Sequence, residues 1–246
     1  MNDAVVIVAL GAAIAGFVQG LTGFAFGLIA LAFWAWVLDP HTAAPLVVMG
    51  SLLGHTFSIH RARSGFDMRR IAPLLVGGAV GIPFGVALLK HINADDFRLG
   101  VGILLVVYCP AMLLSHRVPG VARLGVAADA AAGAGSGIMA GLGGLGGPIS
   151  TLWCTLRGWD RDALRATFQS FNFAMQIMTF IAYLATGVIS VDLLRVFAVV
   201  GPALIVPAFF GGRLYGRFSD LMFRRVVLGL LTISGCVLIF NVVAAR

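Results

Sequence analysis

A few polar side chains sit inside long apolar stretches of this sequence, and their types suit hydrogen bonding to a solute better than bond-breaking chemistry. Gln19 and Thr22 lie in the glycine-rich stretch Gly16–Gly27, and Ser150 follows the denser stretch Gly137–Pro148. Ser51 and His55 are four residues apart, as are Asn172 and Gln176; that spacing puts each pair on one face of a helix. Asp129 is the carboxylate that falls inside an apolar segment. It could carry a proton or cation, or it could bond a nearby backbone end. His55 titrates in a range suited to proton transfer, although a lone histidine in such a place is more often held structurally by a hydrogen bond.

Catalytic patterns do not emerge. Ser136 lies in Ala134-Gly135-Ser136-Gly137, which lacks the Gly-x-Ser-x-Gly elbow. The chain has no His-Glu-x-x-His and no phosphate loop ending in Lys-Ser/Thr. Cys109, Cys154 and Cys236 fall in apolar segments without ligand spacing and read as small hydrophobes. No metal, cofactor or disulfide framework is implied.

The elements that must position these residues follow from composition. Of 246 residues 60% are hydrophobic and 11% charged, with mean hydropathy +1.00, whereas soluble domains carry about a quarter charged residues. Apolar segments cover about 4–38, 43–60, 71–89, 98–115, 121–156, 166–186, 194–212 and 226–243. The expected fold is an all-α polytopic membrane protein in one domain, residues 1–246. The N-terminal Met-Asn-Asp lacks a basic leader region and is expected to stay on the mature chain. The net charge of +7 comes from arginines set between apolar segments, which points to anionic lipid headgroups and not to nucleic acid.

Six segments have ordinary spanning length, and two, 4–38 and 121–156, run near 35 residues. Such a stretch measures roughly 50 Å as helix, too long for one crossing of a 30 Å core. Both carry the glycines. Glycine costs a helix roughly 1 kcal/mol relative to alanine and proline about 3, so the longer stretch is expected to break near Gly141–Gly147 and to resume at Pro148. The matching arm is expected to start near Phe26-Gly27. Backbone opened inside a bilayer is tolerated where protein or a wet cavity surrounds it, and its free amides can hold an anion. Gly77, Gly78, Gly81 and Gly85 read instead as helix-packing positions.

Shifting the chain by 121 residues superposes Gly16 on Gly137, Gly20 on Gly141, Gly23 on Gly144, Asp39 on Asp160, Ser51 on Asn172 and His55 on Gln176. The halves 4–115 and 121–243 therefore read as an internal repeat, the mark of many secondary transporters. If each long segment crossed once, arginine and lysine would divide 8 to 9 between the two sides; if both are hairpins, one side holds 13 of the 17. Membrane proteins are positive inside, so the expectation is two inverted repeats, each a glycine-broken hairpin plus three transmembrane helices, with the N-terminus outside.

The doubled Gly-x-x-x-Gly-x-x-Gly at 16–23 and 137–144, the segments ended by Asp39 and Asp160, and the two-half layout resemble the TauE/SafE sulfite exporter family over about residues 5–243. The resemblance implies a bacterial inner-membrane carrier for small sulfur-containing anions such as sulfite, sulfoacetate or thiosulfate, or for other organic acids. Thr22 and Phe26 stand where the second copy has Gly143 and Gly147, so the second half-site is expected to dominate. The expected substrate site comprises Gln19, Thr22, Gly23, Phe24, Ser51, His55, Gly143, Gly144, Leu145, Gly146, Gly147, Ser150, Asn172 and Gln176. Phe24 and Leu145 would close it from either side. Asp129 is the candidate for coupling to a proton or sodium gradient. An anion channel using the same broken helices is the alternative.

Overall fold

A computed structural model of the chain describes residues 2–22, 25–58, 67–114, 124–159, 161–214 and 220–245. These form ten helices: α1 Asn2–Thr22, α2 Phe26–Trp34, α3 Pro40–Ser58, α4 Met68–His91, α5 Ala94–Leu114, α6 Val126–Gly143, α7 Gly146–Leu156, α8 Arg161–Ala185, α9 Val191–Leu214 and α10 Asp220–Ala245. Four are long and apolar enough to cross a bilayer, over Ala4–Thr22, Met68–His91, Ala94–Leu114 and Val226–Ala244; Val191–Leu214, bent by 43°, makes a fifth. The protein is thus an all-α, multi-span bundle. Outward-facing side chains such as Val76, Val80 and Phe84 on α4 or Phe240 and Val243 on α10 are more than half exposed. Apolar exposure on that scale belongs against lipid.

Six ordinary spans were expected from the sequence; two of them, 43–60 and 166–186, correspond to α3 and α8, which are not apolar enough to count. The reason is their position. α3 and α8 lie side by side, and α9, α4 and the broken segments surround them. Ala43, Ala44, Leu46, Val47 and Val48 on α3 are fully buried, as are Ala166, Thr167 and Phe171 on α8. Helices that meet protein on most sides can carry polar residues without exposing them to hydrocarbon.

Each long segment folds back on itself. The indole of Trp34, at the end of α2, donates to the carbonyl of Val8 near the start of α1 (3.0 Å). Trp153, near the end of α7, donates to Asp129 near the start of α6 (2.8 Å). The α6–α7 break is narrower than expected: helix runs through Gly143 and resumes at Gly146, so Gly141 is helical and Pro148 sits inside the first turn instead of opening it. That place is cheap for proline because first-turn amides have no intrahelical acceptor.

Gly137 and Gly141 are needed for contact rather than for the break. α6 lies along α4 so closely that a Cβ on Gly137 would overlap the Gly78 carbonyl, and one on Gly141 would overlap that of Ile82. Gly77, Gly81 and Gly85 return the contact against Ala130, Ala134 and Ile138, the role expected for those three. α1 meets α9 in the same manner, with Gly16 on Leu204 and Gly20 on Ala208. α1 thus docks on α9 and α6 on α4, while α5 pairs with α10.

Gly137→Ala should destabilise the protein by about 1–3 kcal/mol or more, since the obstacle is backbone that cannot rotate away. Gly100→Ala, where the added carbon meets open space, should leave stability unchanged or slightly raised. Thermal unfolding of the two variants in detergent checks the contrast.

Candidate functional site

Four helix starts at the ends of the bundle carry side-chain caps, while α6 begins behind solvent-exposed Gly125 without one. Asp39 accepts from the Thr42 amide ahead of α3, Asp67 from Arg69 at α4, Asn93 from Asp96 at α5 and Ser190 from Leu193 at α9. The two helices that start inside the bundle do not. Their N-cap residues are Ala25 and Leu145, neither of which offers a side-chain acceptor. A first turn has four amides without intrahelical partners. At α2 one of them, Phe26 N, is taken by Gln19 Oε1 (3.0 Å); at α7 Pro148 has none to offer.

Both starts are held in place by their turns. Gly144 caps α6 in the left-handed region (φ 69°), with its amide on Ala140 O (2.7 Å) and the Leu145 amide on Met139 O (3.1 Å). Ala25 adopts φ 81° without being glycine. Such a conformation costs an L-residue about 1–2 kcal/mol and persists where neighbours over-determine it, often at ligand sites.

The two starts meet. A Cβ on Gly27 would lie 3.3 Å from Gly144 O and 3.4 Å from Leu145 Cδ2. Between them lies a cavity of about 30 Å³ lined by Gln19, Ala25–Leu28, Ser51, His55, Gly144, Leu145, Gly147, Pro148, Asn172 and Gln176. Cavities of this size hold a water molecule and little more. Gln19 Nε2 donates to Ser51 O (3.3 Å) and Gln176 Nε2 to Gly144 O (3.0 Å), tying α1 to α3 and α8 to the α6–α7 turn. Ser150, fully buried, donates to Asn172 Oδ1 (3.0 Å). Asn172 is 3% exposed, and its Nδ2 has no partner, nor has Gln176 Oε1. An unpaired buried amide costs about 1–3 kcal/mol. Two positive helix ends and a spare N–H donor face a space with no formal charge on its walls.

Eight of the expected site residues line this cavity: Gln19, Ser51, His55, Gly144, Leu145, Gly147, Asn172 and Gln176. Ser150 reaches it through Asn172. Gly143 and Gly146 are buried beside the turn without lining the cavity, and Thr22 bonds Val18 O on its own helix (2.8 Å). Gly23 and Phe24 lie outside the described residues. Ala25, Phe26, Gly27, Leu28 and Pro148 complete the lining. The start of a helix directly after a glycine turn is the signal that points to Phe26–Leu28; nothing in the sequence marks Ala25.

Asp129 is elsewhere. It lies at the foot of α6, paired with Arg157 (3.2 Å) and accepting from Trp153, and Arg157 also donates to Leu124 O. Asp129 aligns with Val8, and in each half the tryptophan of the short returning helix bonds at that position, to a backbone carbonyl in one and to a carboxylate in the other.

Long apolar helices surround a small interior cavity, and no group of three or more His, Cys, Asp or Glu that could hold a metal occurs among the described residues. This is the architecture of a multi-pass membrane protein with a small interior cavity. The chain belongs to the TauE/SafE sulfite exporter family, whose sequence profile matches residues 8–238. Membership makes it a transport-related protein and not an enzyme, and family and fold together are consistent with a small-anion membrane transporter. Neither the curated proteins nor the solved structures contain a significant match to it.

The side chains of Asp129 and Arg157 are 7% and 14% exposed. Removing one partner of such a buried pair typically costs about 3–5 kcal/mol, because it strands the other charge. Arg157→Leu should therefore lower the unfolding temperature in detergent strongly, and Arg157→Leu with Asp129→Asn should recover much of that loss.

Proposed function

We propose that the protein is a secondary carrier that moves a small sulfur-containing anion, of the sulfite, sulfoacetate or thiosulfate kind, across the bacterial inner membrane by alternating access. The anion would sit between the starts of α2 and α7, held by the amides of Gly27, Leu28 and Gly147 and by Asn172 Nδ2. One observation carries this reading: among the described residues, α2 and α7 both begin at the cavity, behind Ala25 and Leu145, whose side chains accept no hydrogen bond. Buried donors left open on both sides of one space ask for an acceptor. A negative guest also gains from the two dipole ends.

The folded-back pairs α1–α2 and α6–α7 then serve as re-entrant hairpins, and the two halves are inverted with the N-terminus outside. Reciprocal docking of α1 on α9 and α6 on α4 supports such pairing, and the positive-inside rule favours it, since with both segments as hairpins 13 of the 17 basic residues would fall on one side. Cysteine replacements of His41 and Asp160, in a background free of Cys109, Cys154 and Cys236, should be labelled from opposite faces; labelling from one face removes the inversion.

The cavity's size favours a carrier over a channel. At about 30 Å³ it must widen for an oxyanion, by outward movement of side chains such as Leu145 or Phe26, and a site that opens and closes around its guest saturates. Proteoliposomes should accordingly show sulfite counterflow, with no single-channel current. Asp129, tied by Arg157 and Trp153, has little freedom to exchange a proton or sodium ion. Asp129→Asn keeps an acceptor for Trp153 and should depend on an imposed proton gradient as the parent does; a changed dependence would restore the coupling role.

A hydrogen bond to a charged group contributes about 1.5–3 kcal/mol, so Asn172→Leu should weaken sulfite binding roughly tenfold to hundredfold by calorimetry on the purified protein. Gly144→Leu combines a left-handed backbone with a Cβ 2.7 Å from Val47 Cγ1 and should abolish binding. Parental affinity in both variants would move the anion out of this cavity.

A further inference from the structure

One face of α8 is polar along most of its length. Arg165, Gln169, Asn172, Gln176, Thr179 and Tyr183 follow each other at alternating steps of four and three residues, the spacing that stacks side chains in a single stripe. Only Asn172 and Gln176 line the cavity. The stripe continues beyond it in both directions, with the Thr179 hydroxyl buried and without a partner on one side and the Gln169 amide on the other. Gln169 is 1% exposed, and neither its Nε2 nor its Oε1 has a partner. A buried amide with both ends idle is among the most costly arrangements a helix interior can hold. Toward the other end Tyr183 closes the stripe, its hydroxyl donating to Gly141 O (2.7 Å).

The other half has no counterpart. Under the 121-residue shift Gln169 falls on Val48 and Arg165 on Ala44, both fully buried in the apolar core of α3. The two ways from solution to the cavity are therefore unlike. One, along α3, is packed with alanine and valine. The other, along α8, leads from the end of the bundle carrying Arg157 and Arg165 past a Gln169 amide with unused donors and acceptors.

We propose that this stretch of α8 is the route of the solute between the arginine-bearing face and the cavity, with the Gln169 amide as the intermediate stop for a small oxyanion. The inference rests on the carrier reading above and adds the side from which the described conformation is served. Gln169 replaces part of the hydration shell of an anion that has left water and has not yet reached Asn172, one helical turn further on. Its idle Nε2–H donors are occupied during passage. No charge is needed at that point, and a fixed cation there would hold the anion instead of passing it on.

Two measurements test this. In the first, Gln169→Leu is compared with the parent for sulfite counterflow in proteoliposomes, sulfite affinity by calorimetry and unfolding temperature in detergent. Counterflow should slow at least tenfold, affinity should stay within twofold, and unfolding should occur at the same or a higher temperature, because an unpartnered amide has been replaced by an apolar side chain. An unchanged rate overturns the route. So does an equal loss of rate and affinity, which would place Gln169 in the binding cavity, or a lowered unfolding temperature, which would make it a structural residue. In the second, Gln169→Cys and Ala44→Cys are each placed in a background without the native cysteines and treated, with no anion present, with a membrane-impermeant methanethiosulfonate from each face. The cysteine at 169 should react from the arginine-bearing face, and the one at 44 should react at least tenfold more slowly from either face. An inert position 169, or equal reaction at both positions, overturns the route whatever the parent transports. A reactive position 169 in a parent that neither binds nor moves sulfite would keep the route and remove the sulfite reading.

Discussion

A helix that begins away from water has a problem that a helix beginning at a surface does not. Its first amides point along the axis into whatever lies ahead, and no residue of the same helix can accept from them. At the ends of this bundle Asp39, Asp67, Asn93 and Ser190 supply the acceptor. In its interior α2 and α7 begin behind Ala25 and Leu145, and much of the remaining structure holds those two starts face to face. Gln19 reaches across to take one amide and to brace α3, and Gln176 ties α8 to the turn at Gly144.

Holding them requires close approach elsewhere. Each broken segment has a long arm that must be fixed against the other half, or its turn would drift. Glycines supply the fixation, since without Cβ atoms the backbones of α6 and α4, and of α1 and α9, come near enough for many small dispersion contacts. The short arms are secured differently: Trp34 and Trp153 tie their far ends back to Val8 and Asp129, and Arg98 donates to Ala35 O at the end of α2 (2.8 Å). A cation at a helix C-terminus is also favoured by the dipole. The arms are thus tied at the outer end and left open at the inner one.

Polar residues inside this protein divide into two kinds by the same logic. Asp129 is a tie, with a cation and an indole as partners. Asn172, Gln176 and Gln169 have hydrogen-bonding atoms that nothing in the fold uses. A fold that leaves buried amides unmatched forgoes stability, and these three share one face of α8, which reaches the cavity. Membership of the TauE/SafE family, together with the fold, is consistent with a small anion as the partner for spare donors such as Asn172 Nδ2.

Composition and periodicity determined that this is a helical membrane bundle, that its long segments contain a break, and that Ser51, His55, Asn172 and Gln176 face inward, because hydrophobic burial and helix spacing act locally along the chain. Tertiary structure alone decided which glycines break a helix and which pack one. Gly137, Gly141 and Gly144 look alike in sequence, yet the first two lie against α4 and the third turns left-handed. It also decided that Ala25 would adopt a strained turn, that Asp129 would meet Arg157 28 residues away, and that α3 and α8 would be sheltered at the centre. Each of these depends on which backbone comes to lie beside which, and that is settled only when distant helices dock.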